Sequence, residues 1–418
     1  MVKPVNRCGA RAVTTLVAVR EPRGDTSAAA RTQDAPAWRP LVPPGRIVGL
    51  DVARCIALVG MIATHMLVAT DADGGVTVVQ QIAGGRASAL FAVLAGVSLA
   101  LMSGRTEPVR GPEARAVGVG LAVRAVIIAL LGLLLGSLPS GILVILAYYG
   151  VLFLLGIPFM RLGARGLLLL AVAWVVVVPV LMHVLRMHLP EAPIESPTFD
   201  SLADPLQLLT QLTVTGSYPA LPWLGYLLVG MAVGRLDLSR PDTARDLGVL
   251  GACVALVSWS ASGLLLSRTG VEQRLGETLT GPYAGNLPYA LDHGLYGTTP
   301  TGTWWWLAVD TPHTGTPFDL AQTIGSALVV ISVSLLLGRR LPRTMAVVAG
   351  AGAMTLTLYS CHLVLRSPGL LSDPGTASFL THVAIVMGAG AVYRLAGQSG
   401  PFERCVTWVA NKAAQVVR

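Results

Sequence analysis

Apolar runs about as long as a bilayer core is thick alternate along the chain with short polar connections. A helix needs roughly 20 apolar residues to cross a hydrocarbon core. By that measure the spans are 48–69, 82–103, 117–138, 142–160, 166–183, 221–233, 247–266, 320–337, 345–365 and 377–395. The pattern predicts an all-α membrane protein, a polytopic bundle of about ten transmembrane helices. The sixth run is short and either borrows length from Tyr218 or tilts less than its neighbours. Gly132 with Gly136, and Gly230 with Gly234, place small residues four apart, as close helix packing in lipid requires, although a Gly-rich chain also produces such pairs by chance. Pro158 and Pro179 are placed to kink their helices.

Composition fits this reading. Of the 418 residues, 53% are hydrophobic and 12% charged, whereas a soluble domain averages about 25% charged. A net charge of +8 raises nucleic acid as a partner, but the basic residues sit in short clusters between apolar runs. Topology accounts for them, and no nucleic acid partner is expected. The cysteines Cys8, Cys55, Cys253, Cys361 and Cys405 form no C-x-x-C pair, and three lie in apolar runs, so neither a disulfide framework nor a metal is expected. Basic residues are almost all Arg, with Lys only at Lys3 and Lys412, which points to a GC-rich bacterial genome. Residues 1–45 read as a disordered basic arm, 46–398 as the transmembrane domain and 399–418 as a cytoplasmic tail. The stretch 12–19 is too weakly apolar for a signal-peptide core.

Loop charge sets the orientation, because Lys and Arg concentrate on the cytoplasmic side. Alternate connections carry Arg105, Arg110 and Arg115; Arg161 and Arg165; Arg235, Arg240 and Arg245; and Arg339, Arg340 and Arg343. The tail adds Arg404, Lys412 and Arg418. The opposite connections 71–81 and 139–141 have no basic residue, and 183–220 sets Arg186 against Glu191, Glu195, Asp200 and Asp204. Both ends are therefore expected in the cytoplasm (N-in/C-in), with the bundle in the plasma membrane.

This topology separates two chemistries. The histidines His65, His183, His188, His293, His313, His362 and His382 all fall in or near the outer half. In the first helix Asp51, Arg54 and His65 interrupt an apolar span, where ionisable groups are costly and usually functional. Arg54 and His65 lie about 20° apart around the helix and about 16 Å apart along it, so one face joins an inner cation to an outer imidazole. The competing reading makes Asp51 and Arg54 a local ion pair while His65 snorkels outward. In the ninth helix Thr355, Tyr359, His362 and Arg366 form a single stripe. Arg86 opens the second helix and can hold an anionic group, and Arg124 can join Arg54 in binding phosphates, although snorkelling also explains Arg124. Trp304, Trp305 and Trp306 read as an interfacial belt, and the turn around His313 as part of a lid. The chain has no G-x-x-x-x-G-K loop, H-E-x-x-H pair or G-x-S-x-G elbow.

The stretch 49–61, with Asp51 and Arg54, followed by His65, resembles the opening helix of heparan-alpha-glucosaminide N-acetyltransferase-like membrane proteins, which include a YeiB-type branch. Segments 91–98, 218–225, 354–359 and 400–404, together with the His313 turn, continue the resemblance almost to the chain's end. It implies transmembrane acyl transfer, from cytosolic acetyl-CoA or another acyl-CoA as donor to an extracytoplasmic glycan or small-molecule acceptor. Two departures stand out. The family's Gly after the motif Arg is Cys55, and its active histidine before the second helix has no counterpart in 71–81. His65 or His362 must then take that catalytic role, with Asp51, Arg54, Arg86, Arg124, His313, Tyr359 and Arg366 binding substrate. A transporter or flippase of an envelope lipid or sugar, and a non-catalytic membrane partner, are the alternatives. Membrane lipid is a partner in every case.

Overall fold

The computed structural model describes residues 41–190, 194–297 and 299–417. Nearly all of the expected N-terminal arm, with Cys8, and the loop residue Glu191 lie outside them. Every named element among the described residues is helical. The chain enters through α1 (Val48–Met66), α2 (Val78–Ala83), α3 (Arg86–Met102), α4 (Gly111–Gly136) and α5 (Leu146–Gly156). It continues through α6 (Ala164–Arg186), the short α7 (Pro205–Thr210), α8 (Ala220–Gly234) and α9 (Pro241–Leu266). The small helices α10 (Val271–Thr278) and α11 (Leu287–His293) precede α12 (Pro317–Arg340) and α13 (Pro342–Val348). Then come α14 (Thr355–Leu365), α15 (Thr376–Leu395) and α16 (Pro401–Val416).

Seven helical stretches are long and apolar enough to cross a membrane, and three shorter apolar helices, Leu146–Arg161, Ala220–Gly234 and Thr355–Leu365, occupy the remaining expected runs. The short ones are interior pieces; almost every residue of α8 is buried. By contrast, α6 and α9 expose rows of Leu and Val such as Leu169, Val172 and Val176, or Val249, Val257 and Leu264. Such faces suit lipid, because a bilayer imposes no cost on exposed apolar side chains.

Glycines decide how closely the inner helices approach. A Cβ on Gly230 would stand 1.9 Å from the Val93 carbonyl oxygen, and one on Gly96 2.1 Å from that of Leu227, so α3 and α8 touch backbone to backbone. Gly132 is equally tight against Ala147, which assigns both small-residue pairs to packing. Arg235, expected among the loop charges, is instead 4% exposed. Its guanidinium donates to the carbonyls of Ala100, Ser103, Arg105, Met160 and Leu162, tying the end of α3 to the turn after α5.

Two expected spans are broken. The second divides into α2 and α3 at Gly84 and Gly85, where Gly85 has φ +69° and packs on Pro312. The ninth divides into α13, a 3₁₀ turn over Gly350–Ala353, and α14. A Cβ on Gly352 would sit 1.8 Å from the Asp51 carbonyl oxygen, so this turn wedges against α1. Non-helical backbone is tolerated at such depth when it is buried in protein. The tryptophan run also departs from a belt. Trp306 is fully buried in a small core with Val271, Leu275 and Val309, and its indole donates to Thr278 Oγ1 at 3.0 Å. Only Trp304 is largely exposed, against His183.

Candidate functional site

Helix α1 organises the site, because its polar residues lie along the face that meets α3 and α14. At one end Asp51, 5% exposed, accepts from Arg46 Nε at 2.6 Å and Arg54 Nη1 at 3.1 Å. The local pair with Arg54 does form, and Arg46 joins it. Arg54 keeps a second bond, donating to Ser98 Oγ at 2.9 Å.

Beside this charge cluster lies a cavity of about 280 Å³. Phe91, Leu94, Ile128, Phe153 and Leu356 give it apolar walls, while Arg54, Arg124 and Glu403 supply its charge. Arg124 makes one hydrogen bond among the described residues, to Thr407 Oγ1 at 3.3 Å on α16. That helix thus closes the cavity. Its Glu403 carboxylate accepts from the Thr357 backbone N–H at 3.1 Å and from the Thr357 hydroxyl, satisfying the exposed start of α14.

At the other end of α1 a second cavity, about 290 Å³, is lined by His65, Gln80, Ser88, Tyr218, Tyr296 and His313. His313 adopts φ +62°, a conformation that a side chain with a Cβ seldom holds unless its surroundings enforce it. Tyr296 stacks on its ring at 4.8 Å and Tyr218 meets it edge-on at 5.6 Å. Burial holds the His313 imidazole down at about 4, so it is neutral at physiological pH. His65 Nδ1 lies 3.2 Å from His362 Nε2, the two rings nearly parallel. The two cavities share Met61, Ile145 and Tyr359, so they are separated by one layer of side chains. Met61 stands about 10 Å along α1 from Arg54 and one turn before His65.

Of the residues expected to act, His65, His313 and Tyr359 face the histidine cavity, and Arg54, Arg124 and Tyr359 the arginine cavity. His362 reaches the site through His65. Arg366 stands at the end of α14 with its Nε buried and without a hydrogen-bond partner among the described residues. Asp51 and Arg86 line neither cavity. The Arg86 guanidinium donates to the Gln81 carbonyl and feels the Asp310 and Asp319 carboxylates. Tyr218, Tyr296, Gln80 and Glu403 line the cavities as well, without belonging to any polar stripe of the sequence. For Glu403 the Gly400-Pro401 helix start was a usable signal, whereas Tyr296 reaches the site from a loop whose path no periodicity encodes. No group of three His, Cys, Asp or Glu side chains able to hold a metal ion occurs among the described residues.

An apolar helical bundle of this kind fits a membrane acyltransferase in general. The family model of the heparan-alpha-glucosaminide N-acetyltransferase catalytic domain matches residues 46–259, just over half of the chain, and the protein belongs to that family. No curated protein matches the chain. The matched part contains Arg54, His65, Arg124 and Tyr218, while His313, Tyr359 and His362 are supplied by the region beyond it.

Proposed function

We propose that this protein transfers an acyl group, acetyl in the first instance, across the plasma membrane from cytosolic acyl-CoA to an amine or hydroxyl of an extracytoplasmic glycan or small acceptor. The observation that carries the proposal is the pair of abutting cavities with opposite chemistry, divided only by the side chains of Met61, Ile145 and Tyr359. In this reading the chain crosses ten times with both ends inside and the Arg54 end lies at the cytosol, an orientation that the Arg-rich connections support. Arg54 and Arg124 hold donor phosphates, the apolar walls receive the pantetheine arm, and the thioester reaches Tyr359. His65 removes the acceptor's proton as its nitrogen or oxygen attacks the thioester carbonyl. Collapse of the tetrahedral intermediate breaks the carbon–sulfur bond, and the departing CoA thiolate takes up the proton that His65 removed, leaving as the thiol and returning His65 to its neutral form. His313, neutral and fixed by two tyrosines, orients the acceptor.

Purified protein supplied with labelled acetyl-CoA and amino-sugar acceptors tests this, with His65→Ala beside the wild type. Transfer by the wild type and a loss of about 100-fold or more in the variant is expected. Equal transfer by both removes His65 from the mechanism. The same two adjoining cavities favour a flippase as the second reading, and substrate flux into vesicles without any acyl-CoA would support it.

A further inference from the structure

The imidazole of His382, on α15, stands behind the His65–His362 pair and has no part in the reaction as described so far. It is fully buried, as is His362, and the two rings meet edge-on with centroids 4.9 Å apart and planes 80° apart. His382 Nδ1 lies 2.9 Å from the Ser378 carbonyl oxygen. A carbonyl can only accept, so Nδ1 carries the proton and Nε2 of the neutral ring is left with a lone pair. That Nε2 has no hydrogen-bond partner among the described residues, and neither has His362 Nδ1 on the neighbouring ring. Two buried, unsatisfied ring nitrogens on touching imidazoles each cost free energy unless they are paired, and a small ring rotation pairs them directly, one donating to the other.

We infer that His382 is a positioning residue that sets the tautomers of the whole chain His382–His362–His65. The rest follows by valence. With His382 Nε2 an acceptor, His362 donates through Nδ1–H, so His362 Nε2 carries a lone pair. His65 Nδ1, 3.2 Å from it, must then carry the proton. The nitrogen left to the cavity, His65 Nε2, is unprotonated and is the base. This inference rests on the proposed acyl transfer only for its use of that base. During transfer the acceptor's proton bonds to His65 Nε2, and the His65 Nδ1 proton is free to pass to His362 Nε2 while the His362 Nδ1 proton moves toward His382. No bond other than N–H changes along the chain.

Nitrogen-15 NMR of the full-length protein labelled at histidine, in detergent micelles, reads each tautomer directly. The His65 signals are identified by their loss in His65→Asn. Wild type is expected to show His65 protonated at Nδ1 and unprotonated at Nε2. In His382→Phe that preference is lost, and kcat for transfer falls by up to about 100-fold with both KM values held. His382→Gln, which keeps an acceptor near the Nε2 position, restores most of each. A wild-type His65 protonated at Nε2, or a His65 tautomer indifferent to His382→Phe, overturns the inference. The stated tautomers in a protein that transfers no acyl group uphold the inference and remove the acyltransferase reading instead.

Discussion

Replacing Arg124 with Gln isolates the donor side of the reaction. In the folded protein this side chain gives up little, since it makes one long bond of 3.3 Å to Thr407 Oγ1. Arg54 differs, because its two bonds to Asp51 and Ser98 make its removal structurally expensive. Arg124 therefore holds most of its five N–H donors in reserve. A charge-assisted bond to a phosphate is worth about 1.5–3 kcal/mol, which is roughly a 10- to 100-fold change in affinity. Steady-state transfer by Arg124→Gln should show KM for acyl-CoA raised by that factor, with kcat and the acceptor KM near wild type. Acyl-pantetheine, which lacks the nucleotide phosphates, provides the decisive comparison. It should bind wild type and variant alike, and in the variant the advantage of acyl-CoA over it should shrink by the same factor. An unchanged donor KM, or an equal loss with acyl-pantetheine, would refute the placement of donor phosphates at this mouth.

Three further outcomes are expected. Arg235→Ala strands the carbonyl acceptors at the end of α3 and after α5, costing on the order of 3 kcal/mol; thermal unfolding in detergent reads this, and Arg235→Lys should fall between variant and wild type. Gly230→Ala forces a methyl against the Val93 carbonyl at 1.9 Å; because backbone cannot swing aside, the yield of monodisperse protein should drop sharply, whereas Ala at the open Gly263 should leave it unchanged. For His313, folding lowers the pKa from 6.5 to about 4, so the unfolded chain binds the extra proton between those values. Its contribution to stability is then full above about pH 6.5 and is lost as pH falls toward 4; His313→Asn should flatten that part of a stability-versus-pH curve.

Helix positions were legible in the sequence because a membrane span is a long unbroken signal. All ten expected runs contain a helix, and in most of them the ends fall within a few residues of expectation. What escaped was the interruption of helices by packing. Nothing in the hydropathy of 345–365 separates Gly350–Ala353 from its flanks, because the break is dictated by the approach of α1 to Gly352. Arg235 misled for a related reason. A lone arginine after an apolar run reads as a loop charge, yet converging carbonyls made burial the better solution. Within the site, His65 and His362 announced themselves as ionisable groups in apolar spans. Their contact did not, since it joins helices 297 positions apart. His382 was visible only as one more outer histidine.

The hydrogen bonds that Glu403 accepts from Thr357 make the helix Pro401–Val416 part of the framework of the candidate site. A truncation ahead of Pro401 would strip α14 of its anchor and disturb His362 about one and a half turns further along the same helix. Expression versions shortened to the family-matched region would lack both groups, and inactivity in such proteins would say nothing about the chemistry of the whole chain.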